Sequence, residues 1–127
     1  MTHIILKINI DGAIHSTSLE KEITFGRKRS KGKSKAQYLI EDPDISTLHL
    51  KITFDMALGK IFFKDLKSTN GTFLNGQQYK EDLFHINDVL KIGSCTISID
   101  KNSLSRELKA SIGKRISYKH ENEITLK

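Results

Sequence analysis

Between Ile4 and Ile99 the chain is a succession of short apolar and β-branched runs, each ended by a turn signal, and this rhythm restricts it to strands. The runs are Ile4 to Ile10, Ile14 to Leu19, Ile23 to Phe25, Tyr38 to Ile40, Leu50 to Phe54, Lys60 to Asp65, Thr72 to Leu74, a short one near Gln78, Val89 to Ile92, and Cys95 to Ile99. Asp11-Gly12 and Asn75-Gly76 are the residue pairs that close tight hairpins, and a further turn runs from Asp55 to Gly59. Many short strands at turn-marked intervals predict an all-β fold, a β-sandwich.

The pattern changes after Ile99. Leu104, Leu108, Ile112 and Ile116 recur at every fourth residue, and Arg106 to Ala110 are good helix formers. This predicts a short C-terminal α-helix over about 103–112, ended near Gly113, on a basic extension spanning 101–127 behind a β domain spanning 2–100. So narrow a stripe suits packing on the sandwich, with a dimer or partner contact as the alternative. A membrane contact would need a broader apolar face. No strand or helix is assigned to Ile124-Thr125-Leu126.

At 127 residues with 37% hydrophobic content and no Trp, the chain has material for one modest core. A single Cys rules out an internal disulfide and gives no sign of an oxidising compartment. Cys95 begins an alternating strand, which turns it inward as a packing residue. The opening His3 to Ile10 is short and carries Lys7, as a first strand does and a signal peptide or membrane span does not. The expectation is an intracellular, cytoplasmic protein, with the nucleus open to it in a eukaryote.

Charge is unevenly placed. Arg27 to Lys35 holds six of the 21 Lys and Arg and no acid, so the other 15 balance the 15 Asp and Glu, and the whole net charge of +6 equals that of one loop. Such a run can be a solvated extended loop, a rim that steers acidic or phosphorylated partners, or a nucleic-acid patch. No aromatics interleave it, so base stacking is not indicated. Gly32-Lys33-Ser34 matches the end of a nucleotide P-loop, but that motif has four residues between its glycines, whereas five separate Gly26 from Gly32. A strand and then Asp42-Pro43 follow where the motif needs a helix to face the phosphates. No Cys-His or Ser-His-acid set stands at local spacing, but triad members can be remote in sequence, so spacing argues only weakly against an enzyme; neither a catalytic residue nor a cofactor is assigned.

Asp65-Leu66-Lys67-Ser68-Thr69-Asn70-Gly71-Thr72, continuing to Asn75-Gly76, is a hydroxyl-rich loop between apolar strands, whose Ser, Thr and Asn can present groups to a ligand or bond only their own backbone. Upstream stand Phe25-Gly26-Arg27 and Ile45-Ser46-Thr47-Leu48-His49. A Gly-Arg pair, then Ser-x-x-His, then Ser-Thr-Asn-Gly-Thr followed by Asn-Gly, in this order, resembles the forkhead-associated domain over about residues 2 to 100. Asp88 to Gly93 is similar to that family's last strands, with Asn87-Asp88 where Gly-Asp is usual.

The resemblance implies a two-sheet β-sandwich of about eleven strands with recognition loops at one end, and binding of a phosphothreonine-containing protein or peptide. A phosphorylated side chain carries about −1.5 to −2 charges and three acceptor oxygens, so its receptor needs convergent donors. On this reading Arg27 is the guanidinium fork on the phosphate. Ser46 adds its hydroxyl and backbone N–H, Thr69 a further contact, and Asn70 holds the peptide main chain. Lys28, Thr47 and Lys67 are placed for additional contacts; Thr47 stands where the family commonly has Arg, and Lys67 where it has Gly. Gly26, His49 and Gly71 support the loops, and His49 has no second ligand at metal spacing, so no metal is assigned. The loop before Ser46, with Asp42 and Asp44, is expected to disfavour acidic residues three positions after the phosphothreonine. The alternative from another class is a nucleic-acid-binding protein acting through the basic loop.

Overall fold

The computed structural model describes residues 4–113. Eleven strands form two sheets. One has six strands: β1 (Ile4–Ile10), β2 (Ala13–Leu19), β7 (Phe73–Leu74), β8 (Gln77–Gln78), β10 (Leu90–Ile92) and β11 (Cys95–Ile99), in the order β2-β1-β11-β10-β7-β8. The other has five: β3 (Glu22–Arg27), β4 (Tyr38–Ile40), β5 (Leu50–Asp55), β6 (Lys60–Asp65) and β9 (Glu81–Leu83), in the order β4-β3-β5-β6-β9. Both glycine-containing hairpin signals act as read. Asp11 and Gly12 have φ of 51° and 86°, and Asn75 and Gly76 have 50° and 88°, the double left-handed geometry whose twist matches the flanking strands.

Alternation fixes the register. Leu50, Ile52 and Phe54 of β5 and Cys95, Ile97 and Ile99 of β11 are buried, with less buried residues between them. These faces enclose a core with Phe25, Phe63, Leu6, Ile8 and Phe84 fully buried. Each such side chain contributes about 1.5–3 kcal/mol by leaving water.

Strand β9 was not among the expected runs. Glu81 and Asp82 have low strand propensity, and the strand exists because β6 pairs with it, Phe62 opposite Leu83 and Lys64 opposite Glu81.

The C-terminal helix begins later than expected. A short 3-10 turn (Lys101–Ser103) comes first, with the Asp100 carboxylate accepting from the Asn102 N–H at 3.0 Å. Leu104 then turns extended, which buries its side chain in the core, and helix α1 covers Arg106–Gly113 with the Ser105 hydroxyl accepting from the Leu108 N–H at 3.2 Å. Ile112 is 1% exposed, and Leu108 packs against the same core. Lys60 Nζ donates to the Ser111 carbonyl at 2.5 Å, and the Ser111 hydroxyl donates to the Gly59 carbonyl at 2.6 Å. The apolar stripe through Ile112 is therefore used within the molecule. Ile116 and Ile124 to Leu126 lie outside the described residues. Among the described residues no helix is long and apolar enough to cross a membrane.

Candidate functional site

Arg27 closes β3, opposite Ile40 of the parallel strand β4, so its backbone is still fixed by sheet register where its side chain leaves the sheet. Its N–H donates to the Ser46 carbonyl at 2.9 Å, and its Nη1 donates to the carbonyls of Ile45 at 2.9 Å and Pro43 at 3.4 Å. The guanidinium is thereby held against the connection between β4 and β5. That connection lies flat on β3 because residue 26 is glycine: a Cβ there would stand 2.1 Å from the Thr47 carbonyl oxygen.

The β6–β7 loop is tied to the same place. The Ser46 hydroxyl oxygen accepts from the Thr69 N–H at 3.0 Å, and the Asn70 amide donates to the Asp44 carbonyl at 2.9 Å. Within the loop, the Asp65 carboxylate accepts from the Ser68 N–H and hydroxyl and from the Thr72 hydroxyl, while the Gly71 N–H donates back to the Ser68 hydroxyl at 2.9 Å. Burial opposes ionisation of Asp65, but these bonds from Ser68 and Thr72 outweigh it and hold its carboxyl below the usual carboxylate range. Lys67 sits at the loop's bend with φ of 58°, a left-handed conformation that glycine would adopt at less cost.

His49 is wholly buried between the two loops. Its Nδ1 accepts from the Ser46 N–H at 3.0 Å, which leaves the ring proton on Nε2 to donate to the Gly71 carbonyl at 2.8 Å. One consequence corrects the sequence reading: the Ser46 N–H is already committed to His49, so the hydroxyl is what Ser46 can offer a ligand.

Asp42 is also differently placed from the reading that set it beside a peptide. It is 7% exposed, and its carboxylate accepts from the Ser94 N–H at 2.9 Å, the Ser94 hydroxyl at 2.7 Å and the Asp44 N–H at 2.9 Å. The Ser94 N–H above all holds its carboxyl below the usual range. Asp44, by contrast, is exposed.

Hydrogen bonds thus link Arg27 to Ser46 and Ser46 to Thr69, and tie Asn70 to Asp44, so that the end of β3 and two loops meet. Two hollows flank them. On the Asn70 side a groove of about 600 Å³ is lined by Asp44, Asn70, Phe73, Val89, Lys91 and Thr96. Sequence reading missed its floor, since β7, β10 and β11 become neighbours only through sheet order; the exposed Val89 and Lys91 among alternating buried residues were the available signal. On the Arg27 side a second hollow of about 560 Å³ is lined by Arg27, Lys28, Arg29, Lys31 and Lys35, with Ser30 and Thr47 adding hydroxyls. Lys28 Nζ lies 3.4 Å from Glu41 Oε1, an exposed pair. Lys67 is exposed on the β6–β7 loop.

The family model of the FHA domain matches residues 23–93, a span that contains the end of β3 and both loops. The chain belongs to the FHA domain family. Solved FHA domains share its architecture. One, from a structural and functional analysis of phosphothreonine-dependent FHA domain interactions, is 28% identical with a TM-score of 0.65 over 77% of this chain and 95% of its own. The FhaA FHA domain, solved in complex with the intracellular domain of Rv3910, is also 28% identical, with a TM-score of 0.65 over 76% and 99%. The FHA domain of CT664 protein from Chlamydia trachomatis is 20% identical and has a TM-score of 0.67 over 77% and 96%, a likeness of fold. No curated protein matches the chain.

Proposed function

We propose that this FHA domain binds phosphothreonine in a partner protein through the loops carrying Arg27, Ser46, Thr69 and Asn70, and that it is a recognition module and not an enzyme. The observation that carries the reading is the convergence of these loops. The Arg27 fork is held beside Ser46 by the Ile45 carbonyl, the Ser46 hydroxyl meets the Thr69 N–H, and Asn70 is held beside Asp44. Nη1 of Arg27 makes both of its bonds to loop carbonyls, and the rest of the fork has no protein acceptor among the described residues. A phosphate would take those remaining donors together with the Ser46 and Thr69 hydroxyls. Asn70 would turn its amide to the peptide main chain, with Lys28, Thr47 and Lys67 at the margin. Gly26, His49 and Gly71 support the loops without touching the ligand. The 28% identical FHA domain studied for phosphothreonine-dependent interactions adds support. A ligand made by protein kinases would place the module inside the cell, in the cytoplasm or, in a eukaryote, the nucleus.

The test is calorimetric titration with a pool of threonine-containing peptides, phosphorylated and unphosphorylated, against the wild-type protein and Arg27→Ala. Binding that requires the phosphate and weakens by about 2 kcal/mol or more in Arg27→Ala is the expected result. Because Arg27 also braces the loop, Asn70→Ala provides a second variant. Equal binding of the two pools would reject phosphate recognition.

A further inference from the structure

The second hollow is larger and more charged than recognition of one phosphate demands. Five cations line it: Arg27, Lys28, Arg29, Lys31 and Lys35, with no carboxylate among the lining residues. Of these, among the described residues, only Lys28 has a carboxylate within salt-bridge distance, the exposed Glu41. The rest of the chain is balanced in charge, so this loop carries an unneutralised field.

Its shape is partly built. The Lys28 N–H donates to the Ile40 carbonyl at 3.1 Å, which fixes the loop's first residue to β4. Gly32 takes a left-handed turn at φ of 79°, and Arg29 Nη1 donates to the Lys33 carbonyl at 3.2 Å, so the loop folds back over itself. Lys31 and Lys35 are thereby returned to the side of Arg27 and Thr47.

We propose that this hollow takes a second phosphate on the same partner peptide, making the protein a reader of doubly phosphorylated segments. The inference rests on the phosphothreonine reading, because Arg27 belongs to both places: its guanidinium lines the hollow and bonds the Ile45 carbonyl next to Ser46. A phosphate brings three acceptors and nearly two charges, which match a hollow of several cations and two hydroxyls. An extended peptide advances about 3.3 Å per residue, so a second phosphate about two to four residues from the first lies roughly 7–13 Å along the chain from it. The Asn70 groove is no equivalent site, since Asp44 lines it and Lys91 is its only cation. Single-stranded nucleic acid is less suited, because no aromatic side chain lines the hollow for a base to stack on.

The experiment titrates one phosphothreonine peptide, and a set in which a second phosphoserine occupies each of the four positions on either side, at about 0.15 M salt, where long-range steering is largely screened. The protein is compared with the double variant Lys31→Gln/Lys35→Gln and with Ser30→Asp, which sets a carboxylate in the hollow. The expected result is at least tenfold tighter binding confined to one or two spacings on one side, lost in both variants, while the singly phosphorylated peptide binds the wild-type protein and Lys31→Gln/Lys35→Gln alike. Equal affinity for singly and doubly phosphorylated peptides, or the same gain at every spacing, would overturn the subsite and leave the phosphothreonine site standing. Binding of no peptide would overturn both. A mixed-sequence oligonucleotide that binds the wild-type protein but not the double variant, and displaces the doubly phosphorylated peptide no more weakly than the peptide displaces itself, would reassign the hollow to nucleic acid.

Discussion

His49 and Gly71 stand 22 residues apart in sequence and are joined by a 2.8 Å bond from a buried ring nitrogen to a carbonyl. With the Ser46 N–H on the other nitrogen at 3.0 Å, one side chain locks the β4–β5 connection to the β6–β7 loop. Removing the ring would leave an N–H and a carbonyl without partners in a dry place. His49→Ala should therefore cost about 2–4 kcal/mol of stability, read as a lowered urea midpoint, and weaken phosphopeptide binding through loop disorder. Lost affinity with an unchanged midpoint would mean that His49 touches the ligand instead.

Gly26 and Gly76 separate two reasons for glycine. At Gly26 the obstacle is the Thr47 carbonyl, 2.1 Å from an added Cβ, whereas at Gly76 nothing lies within 4 Å and only the φ of +88° resists a side chain. Gly76→Ala should cost about 1–2 kcal/mol and spare binding. Gly26→Ala should cost more and lower affinity as well, because the strand can accept the methyl only by pushing Ser46 and Thr47 away from Arg27. Parallel thermal melts and titrations of the two variants check this.

Asp42 makes stability depend on acid. Its carboxyl is held below the usual range in the folded state, first by the Ser94 N–H, so at low pH the unfolded chain takes up its proton before the folded one does. The contribution is complete above the ordinary aspartate value, near 3.8, and declines as pH falls through the lower folded value. Asp65 acts in the same direction. In Asp42→Asn the urea midpoint should fall at pH 7, and its further fall between about pH 5 and 2 should be shallower than in the wild type. Parallel pH profiles would show that the carboxylate is not the linked group.

Cys95 should be inert in the native protein. Its side chain is wholly buried, and burial, with the Asp42 charge as a lesser cause, pushes the thiol up to about 12. A thiol reagent at pH 8 should modify it only as fast as the molecule opens, so labelling should accelerate with urea in step with unfolding. Rapid labelling in native buffer would contradict this placement.

The parts of the fold legible in the sequence were those set by local chemistry. Asp11-Gly12 and Asn75-Gly76 turn where residue type alone demands, and alternating Leu50, Ile52 and Phe54 declares a buried face. What stayed hidden depends on neighbours distant along the chain. Glu81 and Asp82 form a strand because β6 recruits them. Leu104 interrupts the expected helix to reach the core. The Ser46 N–H is occupied by His49, and Asp42 turns to Ser94, 52 residues onward, although both looked available for a ligand. Motif spacing singled out side chains that the fold brings together; which donors each has left over is a matter of tertiary hydrogen bonding.

The docking of α1 bears on how the recognition unit could be moved to another protein. Leu104 and Ile112 belong to the same buried cluster as Phe25 and Phe63, and Ser111 is bonded to the β5–β6 turn. A graft cut at Ile99 would uncover the apolar surface that these two residues seal, on an otherwise intact set of loops. The portable piece runs from Ile4 to at least Ile112, longer at both ends than the span that defines its kinship.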